Sequence, residues 1–189
     1  MVLRPAAPIQ ASELLANFAS LGLRHVEIAW SAQPDWVKQC QHLCQRFPSL
    51  LIGAASVTCN SGLAAAVQAG LSYVVSPVLD QHLWREACSV GLTLIPGVMT
   101  PSEVHQARGM GCKLVKLFPA QRLGRHYWHA LRAPLQSPLP FCIAAGGLKP
   151  IDVKPWLEAG VDAVTLGSSI QSRADAADAL AALTHQRLH

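Results

Sequence analysis

The chain has 189 residues, of which 51% are hydrophobic and 14% charged, enough for one buried core and unlike a disordered or fibrous chain. Fifteen basic residues against eleven acidic ones give a net charge of +4, but the cations are scattered and not interleaved with aromatics, so nucleic-acid binding has no electrostatic footprint here. No apolar run approaches the ~20 residues that span a bilayer, and Met1-Val2-Leu3-Arg4-Pro5 lacks the charged and apolar regions of a signal peptide.

Short β-like runs alternate with helical patterns about every 20 to 25 residues, as in a chain of βα units. Strands are expected at Val2–Arg4, His25–Ala29, Leu51–Ala55, Tyr73–Ser76, Thr93–Ile95, Leu114–Phe118, Phe141–Ala144 and Ala163–Leu166. Helices are expected between them at Ala11–Ser20, Pro34–Gln45, Ser61–Ala69, Gln81–Ser89, Pro101–Met110, Arg125–Arg132, Ile151–Ala159 and Asp175–Gln186. Pro101-Ser102-Glu103 and Pro150-Ile151-Asp152 look like helix starts with acidic first turns. Gly22, Gly70, Gly111 and Gly160 each close a helix just before the next strand. Strict alternation predicts a single-domain α/β protein over residues 1–189, a (β/α)8 TIM barrel; a doubly wound open sheet is the alternative.

The six cysteines include no C-x-x-C pair. Cys40 and Cys44 share a helix face, and buried reduced thiols fit better than a metal site. A reducing cytoplasm is the expected compartment.

Two ionisable residues interrupt apolar strands. In His25-Val26-Glu27-Ile28-Ala29 the strand period puts Val26 and Ile28 on one face and Glu27 on the other. In Leu114-Val115-Lys116-Leu117 the same parity turns Lys116 inward and Lys113 away. Both are expected at strand ends, where barrels carry their reactive groups. A buried Lys–Glu ion pair that merely fixes the core is the bland reading. In the functional reading the apolar site disfavours the charged amine and makes it a nucleophile, while the carboxylate moves protons.

Ala145-Gly146-Gly147 follows the seventh expected strand, and Leu166-Gly167-Ser168-Ser169 follows the eighth. Barrels often cradle phosphate in these two loops, through backbone N–H groups that glycine lets a ligand approach. Ser168 could add a hydroxyl donor, although Gly-Gly alone could be a plain turn. His126 and His129, three apart, could bind a metal or simply lie on a helix surface. Trp30 could line a substrate mouth or be packed.

Arg4, Val26-Glu27-Ile28, Gly53-Ala54-Ala55-Ser56-Val57, Val75-Ser76-Pro77, Ile95-Pro96-Gly97-Val98-Met99-Thr100-Pro101-Ser102-Glu103, Lys116-Leu117-Phe118-Pro119-Ala120 and Gly146-Gly147 occur in an order that resembles the KDPG/KHG aldolase family over nearly the whole chain. The resemblance implies a class I aldolase of the Entner–Doudoroff type that cleaves 2-keto-3-deoxy-6-phosphogluconate or a close relative. Lys116 would form the Schiff base and Glu27 would shuttle protons. Arg4, Ser56, Pro77 and Phe118 would bind the pyruvate and carboxylate end. Gly146, Gly147, Gly167 and Ser168 would bind the phosphate. It implies no metal or organic cofactor and a homotrimer. Ser31 stands where many members carry an arginine for the substrate carboxylate, and a serine cannot make that bidentate contact; Arg4 could serve instead. Ala144-Ala145 replaces the usual Pro-Thr before Gly-Gly and removes a hydroxyl near the phosphate. The alternatives are a 4-hydroxy-2-oxoglutarate aldolase or oxaloacetate decarboxylase using the same lysine, and a barrel that binds a phosphorylated ligand without catalysis.

Overall fold

The structure is a computed structural model, and it describes residues 1–136 and 138–167 together with 174 and 177. Two compact units divide the chain, Met1–Ile95 and Pro96–His189.

In the first unit five strands form one sheet in sequential order, all parallel: β1 (Val2–Leu3), β2 (His25–Ala29), β3 (Leu51–Ala55), β4 (Tyr73–Val75) and β5 (Thr93–Ile95). Helices α1 (Ser12–Ser20), α2 (Trp36–Arg46), α3 (Asn60–Gln68) and α4 (Gln81–Ser89) lie between strands β1 to β5 along the chain. Helix α2 shows why these segments are helical. Its buried residues Trp36, Cys40 and Leu43 recur at helical spacing and form one apolar face. The Trp36 indole also donates to the Ala29 carbonyl at 3.1 Å, which ties α2 to the end of β2. The buried Cys40 thiol is pushed up to about 12 by burial and by neighbouring Cys44, so it is an inert core residue.

The second unit begins with β6 (Gly97–Val98), followed by β7 (Leu114–Leu117), β8 (Phe141–Ala145) and β9 (Ala163–Thr165), again parallel and in sequential order. Its helices are α5 (Pro101–Met110), α6 (Ala120–Leu123), α7 (Tyr127–Leu135) and α8 (Val153–Glu158). The start of α5 is a capping box. Thr100 Oγ1 accepts from the Glu103 amide at 3.3 Å, and the Glu103 carboxylate accepts from the Thr100 amide at 2.7 Å. Gly111 ends α5 with φ 87°, a left-handed conformation that glycine adopts without a Cβ clash.

In neither unit does the strand order reverse. A doubly wound sheet needs such a reversal, so that alternative is set aside. Most expected elements appear within a residue or two. Three differences have physical causes. Pro96 has no N–H for either ladder, and the run around it divides into β5 and the unforeseen β6. The short α6 was not expected, because four residues are too few for a periodic signal. Helix α7 starts at Tyr127 rather than Arg125 and carries Pro134 near its end. The expected helix over Asp175–Gln186 lies outside the described residues.

Candidate active site

Glu27 is the middle residue of β2, between buried Val26 and Ile28, and is itself only 6% exposed. The expectation of a strand-end position therefore holds for Lys116, the penultimate residue of β7, and not for Glu27. In register, Glu27 faces Gly53 on β3, and Gly53 faces Tyr73 on β4. Residues in register on neighbouring strands project to the same side of the sheet. A Cβ on Gly53 would lie 2.5 Å from Tyr73 Cε2; the Tyr73 ring fills the lane that the glycine leaves open. The ring's hydroxyl donates to the Val26 carbonyl at 3.4 Å. Burial, and then the charge of Glu27, raise the Tyr73 phenol well above its ordinary range. His25, on the same side of β2, packs its ring 5.9 Å from that of Tyr73. Burial, the Met1 amino group and Arg24 hold the imidazole below its usual pKa. Sequence reasoning missed Tyr73; glycine at 53 with an aromatic at the matching place on the next strand was the available signal.

The loops after β1 and β3 meet in a second cluster of the first unit. Arg4 Nη1 donates to Ser56 Oγ at 2.9 Å. Ser56 holds φ 62°, an uncommon conformation for a residue with a side chain. Gln33 Nε2 donates to the Ala6 carbonyl at 2.5 Å and ties down the segment that carries Arg4. Pro77 is half-buried in the turn after β4, where the buried Ser76 hydroxyl accepts from the Val78 amide at 3.2 Å. Trp30 is a packed tryptophan. A Cβ on Gly62 of α3 would stand 3.0 Å from its indole.

In the second unit, Lys116 is 5% exposed and lies in register between Gly97 of β6 and Ile143 of β8. Its amide donates to the Pro96 carbonyl at 2.8 Å. Val115 and Leu117 are fully buried on the opposite face, the parity expected from the sequence. Lys116 Nζ sits 4.8 Å from the centre of the Phe118 ring, within cation–π range. The same ring backs the di-glycine turn. A Cβ on Gly146 would lie 2.9 Å from Phe118 Cδ2 and 3.1 Å from Pro119 Cα, and φ at Gly146 is 101°. Gly147, φ 81°, carries no Cβ where the Gln121 side chain packs. Backbone conformation thus requires glycine at both positions, and at Gly146 the Phe118 ring and Pro119 backbone require it as well. The lysine amine, a phenyl ring and a turn with accessible backbone form one short chain of contacts. Gly167 is half-buried just after β9, and Ser168 lies outside the described residues.

His126 and His129 are both exposed, and His126 Nε2 accepts from Arg125 Nε at 3.0 Å. Among the described residues no group of three His, Cys, Asp or Glu side chains could hold a metal ion, and no helix is long and apolar enough to cross a membrane.

A family model described as KDPG and KHG aldolase matches residues 2–184. The chain belongs to that family. The 2-dehydro-3-deoxy-6-phosphogalactonate aldolase of Escherichia coli (strain K12) is 29% identical over 170 residues, covering 89% of this chain and 82% of that protein. The KHG/KDPG aldolase of the same organism is 31% identical over 159 residues, covering 84% and 73%. A solved native KDPGal structure superposes with a TM-score of 0.88 at 26% identity, covering all of this chain and 95% of the other. The family is one of lyases, and this member has the parallel α/β fold class expected from its alternation. Its aldolase lineage makes Lys116 and Glu27 the first residues to test.

Proposed function

We propose that this aldolase works through a Schiff base on Lys116 and cleaves 2-keto-3-deoxy-6-phosphogluconate, or a close 2-keto-3-deoxy sugar-acid phosphate, to pyruvate and glyceraldehyde 3-phosphate. The observation that carries the reading is the placement of Lys116. It is a lysine 5% exposed in an apolar strand, with its amine over Phe118 and that ring against the Gly146-Gly147 turn. A buried amine in apolar surroundings is a good carbonyl nucleophile when neutral.

The neutral amine attacks the C2 ketone, and loss of water gives an iminium. Glu27 takes the proton of the C4 hydroxyl. The C3–C4 bond breaks, its electron pair entering the iminium to form an enamine, and glyceraldehyde 3-phosphate leaves. Glu27 returns a proton to C3, and water releases pyruvate and the free lysine. Arg4, aided by Ser56, binds the carboxylate in the role for which Ser31 lacks the chemistry; Pro77 and Phe118 shape the pyruvate end. Gly146, Gly147, Gly167 and Ser168 bind the phosphate through backbone N–H groups and a hydroxyl. The same reading treats residues 1–189 as one catalytic domain, working as a homotrimer in a reducing cytoplasm. The free state of all six cysteines supports the compartment.

Borohydride trapping with pyruvate tests the mechanism. A covalent pyruvyl adduct on Lys116, absent in Lys116→Met, is expected; an intact parent protein that takes no label would overturn it. Turnover of phosphorylated against unphosphorylated 2-keto acids tests the substrate. A clear preference for 4-hydroxy-2-oxoglutarate would replace the phosphorylated substrate with that one.

A further inference from the structure

We infer that Tyr73 is a positioning residue for Glu27, its ring acting as a stop that keeps the carboxylate out of the lane left open by Gly53. The inference rests on the proposal that Glu27 carries protons in the reaction. Glu27, Gly53 and Tyr73 form one row across β2, β3 and β4, and side chains in such a row project to the same side of the sheet. Glycine in the middle of the row leaves a gap one strand wide beside the carboxylate. The Tyr73 ring lies across that gap. Its Cε2 atom stands 2.5 Å, and its Cδ2 and Cζ atoms 2.7 Å, from where a Cβ on Gly53 would be. Its hydroxyl reaches the Val26 carbonyl on β2 at 3.4 Å. The ring therefore spans from β4 to the backbone next to Glu27. The phenol senses the charge of Glu27, so the two groups are within electrostatic reach of each other.

A buried carboxylate with an empty lane at its side has a second place to lie, folded over β3. The ring removes that alternative. It is itself held at its far end by the bond to Val26, and the tilted His25 ring packs 5.9 Å from it. A proton carrier displaced by about 1 Å can lose ~10^2-fold in rate, so a rigid wall beside Glu27 has a direct kinetic value. Tyr73 takes no proton in this role. Burial and the charge of Glu27 hold its phenol well above the ordinary range, and it stays neutral while the carboxylate exchanges protons.

The test uses the full chain and the exchange of pyruvate methyl protons in deuterated water. In that exchange Glu27 takes a proton from C3 of the pyruvyl iminium, which becomes the enamine, and returns a deuteron to the same carbon. Tyr73→Ala is expected to slow exchange roughly 10- to 100-fold, with borohydride trapping of pyruvate on Lys116 unchanged. Tyr73→Phe keeps the ring and should stay within about threefold of the parent. Tyr73→Val, which suits a strand but is too short to cross the lane, should repeat the alanine loss and serves where that variant does not fold. In a Glu27→Gln background, Tyr73→Ala should slow exchange by less than about threefold further, because nothing is left to position; a purely structural role would carry its full cost into that background. Exchange within threefold of the parent in folded Tyr73→Ala or Tyr73→Val, a loss in Tyr73→Phe equal to that in Tyr73→Ala, or an undiminished loss in the Glu27→Gln background would overturn the role of Tyr73. Failure of the Glu27 reading would show separately, as unchanged exchange in Glu27→Gln alone.

Discussion

Glu27 and Lys116 are each buried in a parallel strand beside a glycine on one neighbouring strand, yet their surroundings differ in kind. Around Glu27 the first unit gathers groups that titrate or donate: the Tyr73 phenol, which feels its charge, and the His25 imidazole tilted against that phenol. Around Lys116 the second unit offers Ile143 in register and the face of Phe118. A carboxylate that must take and return protons is better served by a polar shell. An amine that must attack a carbonyl is favoured by apolar neighbours such as Phe118 and Ile143. Under the proposed mechanism the neighbours, and not the residue type alone, would divide the labour.

That contrast can be broken at its strongest point first. Lys116→Met leaves Phe118 and the turn intact but removes the proposed nucleophile. The expected loss in kcat/KM is roughly 10^4-fold or more, read as pyruvate release. Glu27→Gln keeps the shape and removes the proposed proton carrier, with an expected loss of about 10^2- to 10^4-fold in cleavage. Borohydride should still trap pyruvate on Lys116 in this variant, so that adduct formation and bond cleavage separate. A variant that loses both together would show that the two residues do not divide the work as proposed.

Smaller effects sharpen the comparison. Gly146→Ala places a Cβ 2.9 Å from Phe118 at a positive φ, and should cost about 1–3 kcal/mol in urea unfolding with a fall in activity as the ring shifts. Gly53→Ala drives Tyr73 from its lane, with an expected cost of about 1–3 kcal/mol; in a Tyr73→Ala background the same change should cost little, whereas an undiminished cost there would show that the ring is not the obstacle. The smallest effect concerns α5. Burial pushes the Glu103 carboxyl up, but hydrogen bonds from the Met99 and Thr100 amides and the Thr100 hydroxyl outweigh it and leave its pKa below the ordinary 4.5. A depressed folded value means this stabilisation is complete above the unfolded pKa and is lost as pH falls through the folded one. Thr100→Ala should cost about 1 kcal/mol at neutral pH, and its deficit relative to the parent should shrink on the acid side.

Much of the fold was legible because strand parity and helix punctuation are local. Val26, Ile28, Val115 and Leu117 announced two buried faces, and the glycines at 22, 70, 111 and 160 announced helix ends, all four at positive φ. The break at Pro96 was less legible. One short run reads as one strand until the missing N–H is weighed against two ladders. The buried ionisable residues were legible where such a group interrupts an apolar run, as at Glu27 and Lys116. The packing of Tyr73 and Gln121 was not, since an aromatic in a strand and a glutamine in a short helix are unexceptional in isolation. Each acquires its meaning from a glycine distant in sequence, Gly53 and Gly147, whose empty lane it fills.

The interlocking of Gly53 with Tyr73 also constrains how such a chain can drift over generations. With the ring 2.5 Å from where a methyl at 53 would sit, the smallest enlargement there is harmful until position 73 has shrunk. Shrinking 73 first opens a void with a cost of its own, but it leaves room for a side chain at 53. A side chain at 53 is therefore accommodated only where the ring at 73 has already gone. The two positions, one strand apart in space, are bound to a shared history.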